Sequence, residues 1–278
     1  MKWLVGDKHP DYATSLNDLA NLLKDTNRLS EAEPLYHRVL QIYETSFGPN
    51  HPWVATALNN LAQLLQATNR LTEAEPMYRR VVEIFEKSLG KNHPNVATAL
   101  NNLAQLLQDT NRLTEAEPLM RRALKIDEAS FGPDHPNVAI RLNNLAQLLA
   151  DTNRLTEAEP LYRRALKIDE TSFGHDHPDV ATDLNNLAQL LKTTNRLTEA
   201  EPLMKRVIDI FEKSYGKDHP NVATALNNLA QLLKATNRLT EAEPLYKRAL
   251  KIFEDSLGHD HPNTKTVRQN LQHLESLK

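Results

Sequence analysis

The segment LNNLAQLL, first met at residues 58–65, returns unchanged at residues 100, 142, 184 and 226. Within it Leu58, Leu61, Ala62, Leu64 and Leu65 keep the three- and four-residue spacing of one helix face. The segment is preceded by His51-Pro52, and Pro suits the first position of a helix, where its missing N–H costs nothing. The pattern predicts a helix A from Pro52 to the sequence ATNR, where Asn69 tolerates the positive φ that closes a helix. A helix B is predicted from LTEAEP onward. Thr72 and Glu75, three residues apart, form a capping-box pattern. Pro76 falls in or just after the first turn, where it removes at most one ladder bond. Met77, Tyr78, Val81, Val82, Ile84 and Phe85 carry the apolar stripe to Gly90, a residue suited to a left-handed cap.

The dipeptide HP recurs at His9, His51, His93, His135, His177, His219 and His261, always 42 residues apart. One helical hairpin of that length cannot stand alone: ordering its residues costs on the order of 60 kcal/mol, more than two short amphipathic helices offset. Stacked neighbours can bury each other's apolar faces. The predicted fold is therefore all-α: an α-solenoid of six 42-residue helix-turn-helix repeats (9–50, 51–92, 93–134, 135–176, 177–218, 219–260) with a capping helix over 261–278. Gln272 and Glu275 stand there at core positions, as a solvent-facing cap requires. Residues 1–8 read as the remnant of a preceding helix B, since WLVGDKHP aligns with the KSYGKDHP before His219.

Composition narrows the function. Lys and Arg are spread without a basic block, and the formal net charge is −3, so the electrostatic footprint of a nucleic-acid binder is missing. No apolar run approaches the ~20 residues of a membrane span. The chain has no Cys, which suits a reducing, cytoplasmic setting and excludes thiolate chemistry.

The polar side of helix A is informative. It carries Thr56, Asn59, Asn60, Gln63, Gln66 and Ala67, mostly neutral amides where a merely solvated helix would use charged, better helix formers. A carboxamide both donates and accepts, so a row of them can grip an extended peptide backbone with little regard to its sequence. The same amides could instead bond between adjacent repeats, and recent duplication would copy useless residues faithfully. Differences between repeats should carry specificity. Ile140 replaces the usual Thr in the fourth unit, and Arg141 and Asp183 replace a small residue. The position held by Lys24, Gln66, Gln108 and Ala150 in the first four units is Lys192 and Lys234 in the last two, which favours a ligand segment of acidic character there.

The motifs HP.VAT.LNNLA.L, EAEPLY.RAL.I and LG..HP resemble the 42-residue tetratricopeptide repeat of the kinesin light chain type, from His9 to the C-terminus. The family usually has Gly at the position of Asn69 and aromatics at those of Leu65 and Leu71, so packing here is more aliphatic. The resemblance implies a right-handed superhelix with the A helices on its concave wall, small contact residues at Ala62 and Ala74, peptide or protein binding, and no catalysis. It places the first amide of each pair on that wall: Asn17, Asn59, Asn101, Asn143, Asn185 and Asn227. With them go Thr56 and the row Gln63, Gln105, Gln147, Gln189 and Gln231. The second amide, such as Asn60, lies further round, where it could reach the neighbouring helix.

Other chemistry is weak. The HP histidines lie a full repeat apart and cannot converge on one ion, and HDH at His175–His177 is a poor metal pattern. Glu73 and Glu75 are explained by the start of a helix. Arg79, Arg121 and Arg163, each followed by a second Arg, read as solvated surface, and Trp53 as an isolated aromatic. No catalytic constellation, metal site or cofactor motif is expected. The sequence favours a non-catalytic scaffold holding an extended peptide or protein segment. The alternative is an assembly module that self-associates or couples to an effector domain.

Overall fold

A computed structural model describes residues 6–277; Trp3 and the rest of residues 1–5, part of the expected remnant, lie outside them. Among the described residues there are thirteen helices and no strand. The A helices are α1 (Pro10–Asp25), α3 (Pro52–Ala67), α5 (Pro94–Asp109), α7 (Pro136–Asp151), α9 (Pro178–Thr193) and α11 (Pro220–Ala235). The B helices are α2 (Leu29–Phe47), α4 (Leu71–Leu89), α6 (Leu113–Phe131), α8 (Leu155–Phe173), α10 (Leu197–Tyr215) and α12 (Leu239–Leu257), followed by α13 (Pro262–Glu275). The chain divides into two compact units, Met1–Pro133 with α1–α6 and Asp134–Lys278 with α7–α13.

Within each unit every A helix packs most extensively on its own B helix, and that B helix on the next A helix. Consecutive A helices also meet, α7 with α9 and α11 with α13. The apolar stripe is the buried one: Leu58, Leu61, Ala62, Leu64 and Leu65 of α3 and Ala74, Tyr78, Val81 and Ile84 of α4 are all within 2 % of full burial. Ala62 and Ala74, at 0 %, mark where the two helices touch. In α1 the equivalents of Leu61 and Leu64 are Leu19 and Leu22, both exposed, because no earlier helix pair covers them among the described residues. Gln272 and Glu275 face solvent.

The A–B turn takes three residues, Thr68, Asn69 and Arg70. Asn69 has φ 59°, its N–H bonds the Gln66 carbonyl at 2.9 Å, and the Arg70 N–H reaches the Leu65 carbonyl at 2.8 Å. This paired arrangement closes α3. Arg70 then serves at once as the residue that opens α4. The capping box expected from Thr72 and Glu75 is therefore not formed: the helix begins at Leu71, so Thr72 already lies inside the first turn. Arg70 makes no side-chain cap but forks onto Glu73 at 2.7 Å. For the same reason Pro76 is the sixth residue of α4, deeper than expected.

Two junction residues also differ from expectation. Gly90 has φ 91° and ψ 152°, which is the mirror-extended region open essentially to Gly and not a left-handed helical cap. The HP histidine is the N-cap: His51 Nδ1 accepts the Trp53 N–H at 3.2 Å, and the same bond recurs from His9 to His261. The ring also stacks on the last aromatic of the preceding helix, as in Phe47–His51 and Phe173–His177, both 4.6 Å between centroids.

The arginine pairs are more than solvated surface. Arg79 pairs with Glu75 on its own helix, while Arg80 ties α4 to α2 through Glu44 and the Pro49 carbonyl, at 2.7 and 2.8 Å. Glu75 also receives Arg112 from the next repeat at 2.8 Å, so the helix-start carboxylates are repeat-to-repeat ties.

The large buried tyrosine provides an internal comparison. The Tyr36 hydroxyl donates to Asn21 Oδ1 at 2.6 Å, whereas the Tyr246 hydroxyl is buried without a partner. Tyr36→Phe should cost about 1 kcal/mol, the net worth of a hydrogen bond, and Tyr246→Phe should be neutral or slightly stabilising. Urea denaturation of both variants checks this; equal losses would contradict it.

Candidate functional site

The wall formed by the A helices carries the amide rows, and the second amide is committed to a neighbour. In the first unit Asn60 Nδ2 donates to Asn17 Oδ1 at 2.9 Å and Asn102 Nδ2 to Asn59 Oδ1 at 2.8 Å. In the second, Asn228 donates to Asn185 and Asn270 to Asn227, each at 3.0 Å. Each rung joins one A helix to the next in a fixed register. It consumes the oxygen of the first amide and leaves the NH₂ of Asn17, Asn59, Asn185 and Asn227 outside the ladder. Asn101 is buried, at 4 % exposure, so its surface toward a ligand is small.

The glutamine row is partly engaged. Gln63 Oε1 accepts from Lys24 at 3.3 Å and Gln231 Oε1 from Lys192 at 2.9 Å. Gln147 is exposed, accepts from the Tyr162 hydroxyl and donates to Asp151. Gln105 and Gln189 are half-buried. Burial, and after it the charge of Lys234, push the Lys192 ammonium below its ordinary range. Thr56 is exposed on the same wall.

One rung of the second unit is replaced. Asn143 turns its Nδ2 to Asp183 Oδ1 at 2.6 Å, and its own Oδ1 is left buried without a partner. Asp183 is 1 % exposed, and Asp169 of α8, 5 % exposed, lies against it. Burial pushes the Asp183 carboxyl up to about 7 and the Asp169 carboxyl up to about 6. The sequence alone singles out Asp183 and passes over Asp169. The available signal is register: Asp169 stands where other repeats have Phe85, Phe211 and Phe253.

Among the described residues no group of three His, Cys, Asp or Glu side chains could hold a metal ion. No helix there is long and apolar enough to cross a membrane.

Paired helices, small contact residues and a 42-residue pitch define an α-solenoid of helical hairpins. The sequence profile described as tetratricopeptide repeat matches residues 11–87, 65–129, 95–171, 142–213 and 194–255. The chain belongs to the tetratricopeptide repeat family. Solved structures share the fold. One is described as a putative kinesin light chain from Podosopora anserina with nearly identical TPR-like repeats; it is 24 % identical, with TM-score 0.63 over 74 % of this chain and 98 % of its own. A form of that protein carrying a point substitution is 23 % identical, with TM-score 0.64 over 74 % and 97 %. BtubC (BKLC) from P. vanneervenii is 23 % identical, with TM-score 0.66 over 90 % and 94 %. No curated protein sequence matches the chain.

Proposed function

We propose that the protein is a non-catalytic interaction scaffold, and that the A-helix wall of each unit holds an extended protein segment. The observation that carries this reading is the division of labour within the amides. The ladder fixes the oxygen of Asn17, Asn59, Asn185 and Asn227, so each NH₂ is oriented before any ligand arrives. Pre-oriented donors lower the ordering cost of binding. They suit the carbonyl groups of an extended backbone. Lys192, half-buried and beside Lys234, favours an acidic side chain of the segment at the far end of the second unit.

The test is a random-peptide display selection against the chain and against Asn59→Asp/Asn185→Asp/Asn227→Asp. Asp keeps an oxygen to accept the ladder bond but has no N–H to give a peptide. Peptides enriched by the parent should bind this variant at least about tenfold more weakly, the worth of one or two hydrogen bonds. Lys192→Glu/Lys234→Glu should remove acidic residues from the selected consensus. Equal enrichment by parent and triple variant would return the amides to a purely structural role and favour assembly as the function.

A further inference from the structure

The replaced rung opens into a cavity of about 280 Å³ in the second unit, lined in part by Ile140, Asn143, Asp169, Phe173 and Asp183. Three oxygens buried among these residues, Asn143 Oδ1, Asp169 Oδ1 and Asp183 Oδ2, accept from no N–H or hydroxyl of the chain, while the two carboxyls lie close enough to share a proton. Asn143 gives its Nδ2 to Asp183 Oδ1 at 2.6 Å, so its Oδ1 is the amide atom left over. Buried acceptors without donors are destabilising, and more so when charged. A site with only acceptors is completed by a group with only donors.

The first unit holds the control. Thr56, Asn59, Phe85, Thr98 and Ala99 line a cavity of about 180 Å³ there. These positions are 84 residues before Ile140, Asn143, Asp169, Thr182 and Asp183. At the same place in the same architecture Phe85 and Ala99 make the floor apolar and Asn59 Oδ1 keeps its ladder bond. The acidic floor is thus a local change made by two substitutions, and the tetratricopeptide fold does not require it.

The rest of the lining indicates the shape of the missing group. Ile140 and Phe173 are 51 % and 42 % exposed, and offer an aliphatic stem an apolar wall above the carboxylates. Asp179 adds a third carboxylate to the lining. The volume lies just under the ~300 Å³ lower bound of small-molecule sites, which fits one side chain better than a whole ligand. A guanidinium presents five N–H donors in a planar fork, an ammonium only a point charge. We propose, resting on the groove reading above, that this cavity is a subsite for an arginine side chain of the bound segment, its guanidinium donating to Asn143, Asp169 and Asp183. The ligand would then carry a basic residue here and acidic character toward Lys192 and Lys234.

Binding also displaces a proton. The ionisable groups facing the pair are Asp169 on α8, Asp179 and Asp183 on α9, and His177 at the α9 N-cap, while α7 contributes the neutral amides Asn143 and Asn144. The empty pair holds a proton near neutrality, so a guanidinium competes with it and its affinity rises from about pH 5 to about pH 8.

The first test is an NMR titration of the full chain with N-acetyl-arginine methylamide, with the lysine and citrulline analogues as comparisons. The arginine probe should shift signals of α7, α8 and α9, citrulline should not, and Asp169→Phe/Asp183→Ala should weaken binding about tenfold or more. That variant installs the residues of the second and sixth repeats, so it keeps the fold; Asp183→Asn is the milder second variant. Absence of shifts, or equal shifts with citrulline, overturns the subsite whatever the groove does. A stronger response to the lysine probe overturns the guanidinium assignment. The second test repeats the peptide selection with the double variant. Arginine enriched at a fixed position by the parent and lost in the variant supports the subsite. Peptides enriched equally by both, without a basic residue, overturn it and leave the groove reading standing. A bound arginine probe without any enriched peptide supports the guanidinium site and removes the groove reading.

Discussion

Replacing Asp169 with Phe and Asp183 with Ala makes the second unit more stable, by about 2–4 kcal/mol near neutral pH and by much less near pH 4. Both carboxyls are buried, and both have an oxygen without a donor. Exchanging such a pair for well-packed apolar residues removes the desolvation cost, and here the apolar pair is already proven at the same register by Phe85 and Ala99. The pH dependence follows from the raised carboxyls, Asp183 up to about 7 and Asp169 up to about 6, from an ordinary 3.8. An acid whose value is raised by folding holds, in the folded state, a proton that it releases on unfolding. Between the ordinary and the raised values the folded chain therefore binds more protons, and stability falls as pH rises through that window. Below about pH 4 both states are protonated and the penalty vanishes; above about pH 7 it is complete. Other carboxylates titrate too, so the quantity to measure is the parent–variant difference in unfolding midpoint, by circular dichroism at several pH values. It should widen from acid to neutral pH. A constant difference, or a less stable variant, would show that the pair is already satisfied. The gain in stability should come with loss of the arginine probe, the trade expected when a site is built from strained groups.

Tyr78→Ala should be the most damaging single substitution considered, at about 3–5 kcal/mol. Tyr78 is 1 % exposed between α3 and α4, and its hydroxyl donates to Gln66 Oε1 at 2.9 Å. Truncation leaves a ring-sized void in a site that is closed to solvent. In a repeat array each hairpin is supported chiefly by its neighbours, so the loss stays local. Urea unfolding followed by circular dichroism should split into an early transition of the first unit and a later one near the parent midpoint. A single transition shifted by less than about 1 kcal/mol would mean that the aromatic is not central to the hairpin.

Most of the architecture is legible in the sequence because it is local. The 42-residue pitch, the proline at each A-helix start, the positive φ of Asn69 and the buried faces around Ala62 and Ala74 follow from spacing and side-chain chemistry. The helix-B start differs from expectation for an equally local reason: a closing motif that reuses Arg70 for both helices leaves no room for a Thr72 cap. Arg80 and Glu75 read as surface and helix-start residues in the sequence because their partners lie in adjacent repeats.

The candidate site divides in the same way. Periodicity places the amides of helix A on one face, so the existence of the rows is legible without the fold. The sequence leaves open whether they serve a ligand or a neighbour, since an amide serves both equally well. That Asn60 and Asn102 spend N–H groups on the preceding A helix is visible only in the fold, because it depends on the spacing of two residues 43 apart in the chain. The fold alone shows that Asp169 and Asp183, from different helices, meet on the floor of one cavity. In the sequence they are two separate departures from a repeat; packing turns them into one charged site, because burial is a property of neighbours and not of the residue.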